Sequence, residues 1–404
     1  MGLILCLNPA LRFLAQQVWA TLCDWLGSYK EVVTTSTLTG LVLANCLMIP
    51  AVKGSFPFIL AASLSAGMFM AAWGSVTDSM TIQVLKEYEE AHKATLAAGD
   101  GDTRGVRLPS FGQQRLWGAL GWGVASLAGG AVMDAFGVST MFMSADVLLL
   151  LMFVIVLTQF PSKKGSRARA GRIEWGALAR FEVVWFLANL VVYGLHMSLV
   201  ESFLFVFLLR EFKGATSLLC GATIAVMCLF EMPVFFFFDR LLSRFQLTTL
   251  LSFCHLVFAV RCLAYAILPR DQPWAVLVVE PLHGLTFALM WSCAVEYGKR
   301  LAPPGAEARM QAAMNGLYFL MSLGCGSLLW GHATEPAPRG LGFTTCFKLA
   351  ACTMLTWACV WALGWQLLGC RRARLARQQA RLALLEPGAP GTSFTSGTSM
   401  AQVR

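Results

Sequence analysis

The chain has 404 residues, of which 57% are hydrophobic and 13% charged, with a net charge of +9 and a mean hydropathy of +0.64. A soluble domain carries about 25% charged residues, and so little polar surface cannot cover a water-soluble particle of this size. The charges lie in short clusters between apolar runs of roughly 18–25 residues, the length of a bilayer-spanning helix, which excludes a soluble enzyme, a nucleic-acid-binding protein and a disordered chain.

In chain order, apolar segments bounded by charge or turn signals predict helices at 3–26, 31–50, 56–85, 111–133, 138–160, 181–209, 217–242, 246–268, 274–298, 308–331 and 343–369. That makes an all-α polytopic membrane protein of about eleven spans. The expected organisation is a five-span bundle over 1–160, a basic linker at 161–180, a six-span bundle over 181–370 and a tail at 371–404. The tail opens with Arg371, Arg372, Arg374, Arg377 and Arg381 and then turns rich in Gly, Pro, Ser and Thr, a composition expected to be disordered.

Orientation follows from the loop lysines and arginines. With the C-terminus cytoplasmic, 22 of them fall on the cytoplasmic side and five on the other, the five being Lys53, Arg210, Lys213, Arg270 and Arg339. This asymmetry accounts for the basic charge without nucleic acid. Thirteen cysteines are scattered through the apolar runs with no C-x-x-C pair and no Cys/His ligand spacing, so packing residues are expected and no metal or cofactor.

An internal repeat runs at a six-span period. The third span carries Trp73 followed five residues later by Asp78, and the ninth carries Trp291 followed five later by Glu296. The first ends Asp24-Trp-Leu-Gly-Ser28 and the seventh Asp239-Arg-Leu-Leu-Ser243. Same-orientation repeats joined by a basic loop are the plan of two-bundle transporters. With five spans before the linker and six after it, the repeat expects a further helix ahead of the first span.

A charge in hydrocarbon costs at least ~2.5–3.5 kcal/mol, so intramembrane charges normally face a polar interior. Arg115 stands in Phe111-Gly-Gln-Gln-Arg115-Leu-Trp-Gly-Ala-Leu-Gly-Trp122, where the glycines permit close helix approach. Its guanidinium forks onto hydroxyl or carboxylate groups, Gln113 and Gln114 add hydrogen-bonding capacity, and an indole face such as Trp122 suits a ring. The alternative is an arginine snorkelling to the interface. Asp78 is either its carboxylate partner or an interfacial acid. Arg261 lies mid-span and needs an anion, with Glu280 and Glu231 as candidates. Glu280 and His283 are three residues apart and share a helical face. A carboxylate and a histidine facing an arginine form a set suited to proton handling, the alternative being a packing histidine. Glu231-Met-Pro233 sets a carboxylate beside a proline and precedes four phenylalanines expected to face lipid. Neither a P-loop nor a hydrolytic motif is present, so uphill movement of a solute would draw on an ion gradient.

These motifs resemble the major facilitator superfamily. Asp24-Trp-Leu-Gly-Ser-Tyr-Lys30 looks like a degenerate form of its loop signature, and the run through Arg115 to Trp122 is similar to the fifth-helix motif of the lactose permease branch. There the arginine binds the sugar, the tryptophan stacks on it and a carboxylate at the place of Asp78 partners the arginine. Val260-Arg261 and Leu282-His283 resemble the branch's ninth- and tenth-helix arginine and histidine of the proton-coupling network. The similarity is closer still to the animal and algal group called major facilitator superfamily domain-containing protein 6, through Gly-Gln-Gln-Arg115-Leu-Trp-Gly, Glu231-Met-Pro233, Glu280-Pro-Leu-His283-Gly-Leu-Thr and Trp291. Two positions depart from the permease: its acid one turn after the histidine is Thr286 here, and its lysine one turn before is Glu280. The resemblance implies a major facilitator fold of two pseudo-symmetric bundles whose first helix is missing from this chain. The implied activity is secondary, proton-coupled symport of a small polar solute (sugar or nucleoside-like), and not an enzyme. Arg115, Trp122, Asp78 and Gln114 would bind the solute, and Glu280, His283, Arg261 and Glu231 would carry coupling. The implied partners are the solute, a proton and membrane lipids, with no nucleic acid and no cofactor. The altered tenth-helix acid keeps open a second class, a non-transporting receptor or assembly protein on the same scaffold.

Overall fold

The structure is a computed structural model that describes residues 2–26, 29–72, 81, 84–85, 87–93, 111–159, 180–301, 310 and 313–383. Eleven helices order these residues: α1 (Gly2–Leu26), α2 (Tyr29–Asn45), α3 (Phe56–Met70), α4 (Phe111–Phe136), α5 (Val138–Gln159), α6 (Phe181–Glu211), α7 (Ser217–Arg244), α8 (Leu247–Ile267), α9 (Met290–Leu301), α10 (Leu323–Ala333) and α11 (Phe343–Ala383). A single helical turn, Pro50–Lys53, interrupts the α2–α3 connection. Seven helical stretches are long and apolar enough to cross a membrane, among them Phe181–Glu211, Ser217–Arg244 and Leu247–Ile267.

Each expected span has a helix, but three differ in extent or form. The expected ninth span is broken: a 3-10 turn at Pro273–Val278 and a π-helical segment at Gly284–Leu289 precede α9. Pro273 and Pro281 supply no N–H for a continuous ladder, so the chain reaches α9 only after this irregular stretch. The expected tenth span likewise enters α10 through a π segment, Gly316–Ser322. At the other end, α11 runs to Ala383, so residues 371–383 of the expected tail are helical, while its Gly/Pro/Ser/Thr stretch lies outside the described residues. Residues 371–383 are rich in Arg, Leu, Ala and Gln, all strong helix formers. In the third span the continuous helix is Phe56–Met70, with helical residues again at 72, 81 and 84–85.

The largest buried cluster is formed by α6 to α11, with Phe186, Tyr193, Phe207, Phe258, Phe347 and Trp361 among its fully enclosed side chains. A smaller cluster joins Cys23, Val32, Val33, Ala72 and Val156. Polar links tie the early helices: Trp19 donates to the Met68 carbonyl at 2.9 Å, binding α1 to α3, and Asn45 donates to Asp146 at 2.9 Å, binding α2 to α5. The apolar stretch of α5 is only 6% buried; of the four phenylalanines of α7 expected to face outward, Phe235, Phe236 and Phe237 are exposed, whereas Phe238 packs against the core.

Among the described residues, α1 packs on α10 and on the π segment leading into it, and α4 packs on α7. A six-span shift carries α1 onto α7 and α4 onto α10, so these two contacts exchange under the repeat. The α4–α7 crossing is a small-residue seam. A Cβ at Gly130 would stand 2.3 Å from the Ser217 carbonyl oxygen, and one at Gly221 would stand 2.2 Å from that of Ser126. Only hydrogen fits at either place. At the end of this seam, both Asp134 carboxylate oxygens accept from the first amides of α7, Ser217 N at 2.8 Å and Leu218 N at 2.7 Å. An acid on one helix thereby satisfies the orphan N–H groups of another, where the helix dipole also favours it.

Candidate functional site

The irregular ninth segment builds the polar centre of the molecule. Arg261 projects from α8 and meets Tyr265 one turn later, its Nε donating to the Tyr265 hydroxyl at 2.9 Å. From the far side of the loop, Glu280 accepts from Arg261 Nη2 through Oε2 at 2.9 Å and from Tyr265 through Oε1 at 2.9 Å. The His283 amide donates to the Glu280 carbonyl at 2.8 Å, so the tight turn keeps both side chains on Arg261. Arg261 Nη1 reaches His283 Nδ1 at 2.9 Å and Thr286 Oγ1 at 3.0 Å. Tyr193 of α6 fixes the π segment by donating to the Thr286 carbonyl at 2.7 Å.

The tautomer of His283 follows from its partners. A guanidinium only donates, so Nδ1 accepts and carries no proton; the ring proton is on Nε2, and the ring is neutral. Nε2 stands 2.9 Å from Glu231 Oε1 on α7 and donates to it. Glu201 of α6 approaches the other nitrogen, Nδ1, at 3.9 Å. This geometry depends on Gly284, where a Cβ would stand 2.3 Å from the Phe230 carbonyl oxygen. A bare backbone lets the π segment lie against α7 just where Glu231 emerges, and Pro233 leaves the Leu229 carbonyl there without its helical donor. π segments are frequent at functional sites.

The Arg261–Glu280 pair is wholly enclosed, with neither side chain accessible. Removing such ions from water costs several kcal/mol each, and only good geometry with every donor and acceptor matched offsets it. Here each Glu280 oxygen has a donor and all three guanidinium nitrogens donate. His283 and Glu231, by contrast, border a cavity of about 240 Å³ shared by α4, α6, α7, the π segments and α10. Trp122 lines it from α4; Glu201, Phe287, Tyr318 and Phe319 line it from the later helices.

The structure thus brings Arg261, Glu280, His283 and Glu231 into one hydrogen-bonded chain and sets Trp122 across the adjoining cavity. Arg261 takes Glu280 as its direct anion and reaches Glu231 through His283. Gln114 is exposed on α4, two turns before Trp122, and is not among the residues lining the cavity. Arg115 lies in α4, but its side chain, like Asp78 altogether, is outside the described residues. Sequence reasoning missed Tyr265, Tyr318 and Glu201. Tyr265 had a signal, its spacing of four from Arg261; Glu201 had one too, as a carboxylate inside an apolar run. Among the described residues no group of three His, Cys, Asp or Glu side chains is placed to hold a metal.

An all-helical chain with repeat-related helix crossings, apolar outer faces and a polar centre buried between the crossings is an integral, multi-pass membrane protein with a transporter fold. Residues 1–337 match the family described as MFS_1 like, and the chain belongs to that family. It is similar to a maltose permease of Geobacillus stearothermophilus, 28% identical over 353 residues that cover 83% of this chain and 78% of the relative. It also resembles major facilitator superfamily domain-containing protein 6-like proteins A and B of Xenopus laevis. Protein A is 27% identical over 159 residues, covering 39% of this chain and 25% of the relative. Protein B is 25% identical over 172 residues, covering 43% and 27%. Among solved structures, a point mutant of the nucleoside transporter NupG superposes with a TM-score of 0.69 over 90% of this chain and 91% of the other, at 13% identity. Unmutated NupG gives 0.64 over 90% and 89%, at 14% identity. The major facilitator fold, with two pseudo-symmetric bundles, is the fold of this chain.

Proposed function

We propose that the protein is a proton-coupled secondary transporter that moves a small polar organic solute by alternating access, with its C-terminus in the cytoplasm. The observation that carries this is the continuous chain Glu231–His283–Arg261–Glu280 at the wall of a cavity between the two halves. The permease and the nucleoside transporter it resembles make sugar-like and nucleoside-like solutes the first to try. Trp122, with Arg115, Asp78 and Gln114, would bind the solute from the first bundle.

The bonding pattern supplies a coupling step. His283 already holds one proton on Nε2, toward Glu231. A second proton must go to Nδ1, which now accepts from Arg261. Protonation therefore forbids that hydrogen bond, because two donors would face each other. The guanidinium must turn away, and Nδ1–H then has Glu201 Oε1, 3.9 Å off, as its acceptor. One proton would so exchange a bond between α8 and the π segment for one between α6 and the π segment. A discrete swap of this kind can bias a bistable assembly.

The test is proton uptake by proteoliposomes holding the purified chain, screened against pooled sugars, nucleosides and amino acids. Solute-dependent alkalinisation outside, lost in His283→Asn, is the expected result. A labelled solute accumulating with no proton movement would remove the coupling. No uptake of any solute would favour the receptor or assembly class.

A further inference from the structure

While His283 is neutral, the cavity has a charge that the chain Glu231–His283–Arg261–Glu280 does not engage. Its described lining carries two carboxylates, Glu201 and Glu231, and no cationic side chain. His283 is neutral by its bonds, and Arg261 is fully enclosed with its charge matched by Glu280. Glu231 is engaged by His283 Nε2. Glu201 is not: the nitrogen it faces bears no hydrogen, the separation is 3.9 Å, and its side chain, which lines the cavity, is 37% exposed. The walls around it are aromatic, with the indole of Trp122 and the rings of Phe287, Tyr318 and Phe319. Tyr318 is itself fully buried, yet its hydroxyl has no hydrogen-bond partner.

We propose that this cavity takes a small organic cation, an ammonium or pyridinium group on an apolar body, held by Glu201 and the surrounding aromatic faces. The inference rests on the transporter reading above and names its solute class. Ring faces attract cations, most strongly where water is excluded. A carboxylate in such a place gains from an opposite charge far more than at a surface. An uncharged sugar would instead leave Glu201 facing aromatic rings with its charge unmatched. Among the described lining residues the charges also balance: one proton on His283 and one cation beside Glu201 match the two carboxylates, Glu231 and Glu201.

The test uses the full chain in detergent and in proteoliposomes, with labelled 1-methyl-4-phenylpyridinium as the cation. Uncharged 4-phenylpyridine at pH 8 has nearly the same shape, and maltose and uridine serve as neutral solutes. Saturable binding of the cation is expected, weakened at least about tenfold in Glu201→Gln and retained in Glu201→Asp. Retention in Glu201→Asp separates loss of charge from loss of fold. Cation binding equal to that of 4-phenylpyridine, or unchanged in Glu201→Gln, overturns the proposal, as does binding of maltose or uridine alone. The two proposals fail separately. Neutral-solute uptake indifferent to Glu201 keeps the transporter and discards both the cation and Glu201 as acceptor of the His283 proton. Glu201-dependent cation binding without uptake keeps the site and discards transport.

Discussion

Replacing Glu280 by Gln keeps its size and removes its charge, which makes it the sharpest probe of the polar centre. Arg261 would keep its bonds to Tyr265, His283 and Thr286 but lose its one direct anion, in a place with no access to solvent. The amide fits poorly as well. Both Glu280 oxygens accept hydrogen bonds, from Arg261 and from Tyr265; an amide presents one acceptor and one donor, so one of these partners meets an N–H. Breaking one side of a buried pair costs about 3–5 kcal/mol, and the mismatched donor places the loss in the upper part of that range. Arg261→Met alone should cost a similar amount, since it strands the Glu280 carboxylate. The double variant removes both charges and should be less destabilised than either single, with a coupling energy of at least about 2 kcal/mol. Reversible unfolding of the purified protein in mixed micelles, followed by tryptophan fluorescence, measures all four corners. Single losses below about 1 kcal/mol, or a double variant that loses the sum of the singles, would refute the argument that these charges stabilise one another in a dry site.

Three other outcomes follow from contacts elsewhere. Gly221→Leu should separate α4 from α7, because even a Cβ meets the Ser126 carbonyl at 2.2 Å; a loss of about 1–3 kcal/mol or more is expected, and cross-linking between cysteines placed on the two helices reports the gap. Asp134→Ala uncovers the first amides of α7 and should cost about 0.5–2 kcal/mol, as loss of a helix cap does; amide exchange at 217–219 should rise, while Asp134→Asn keeps one acceptor and loses less. Asn189→Leu leaves two buried donors, His255 Nε2 and Trp357 Nε1, without the oxygen they share at 2.8 Å. About 1–3 kcal/mol per stranded group is expected, read as a lowered unfolding midpoint; an unchanged midpoint would mean that these donors find other acceptors.

Composition and the spacing of apolar runs determined by themselves that this is a helical membrane protein, and the paired Trp–acid and Asp–Ser signatures exposed its six-span repeat. Such signals are local, since a helix long enough to span needs only its own residues to be apolar. Arg261, Glu280, His283 and Glu231 were legible for a related reason: each stands in a run where a charge is costly, so its mere presence marks a polar interior. What the sequence could not supply was how they meet. The helical face expected for Glu280 and His283 proved to be a tight turn leading into a π segment, decided by prolines and by the bare backbone of Gly284 against Phe230. The neutrality of His283 needed the simultaneous approach of Arg261 and Glu231 from two other helices. Glu201 stood in the sequence as one more acid in an apolar run, because its meaning lies in the nitrogen it faces and the rings around it. Those contacts join residues roughly 20 to 80 positions apart along the chain, and only the packing of α4, α6, α7 and α8 around the irregular segment brings them together.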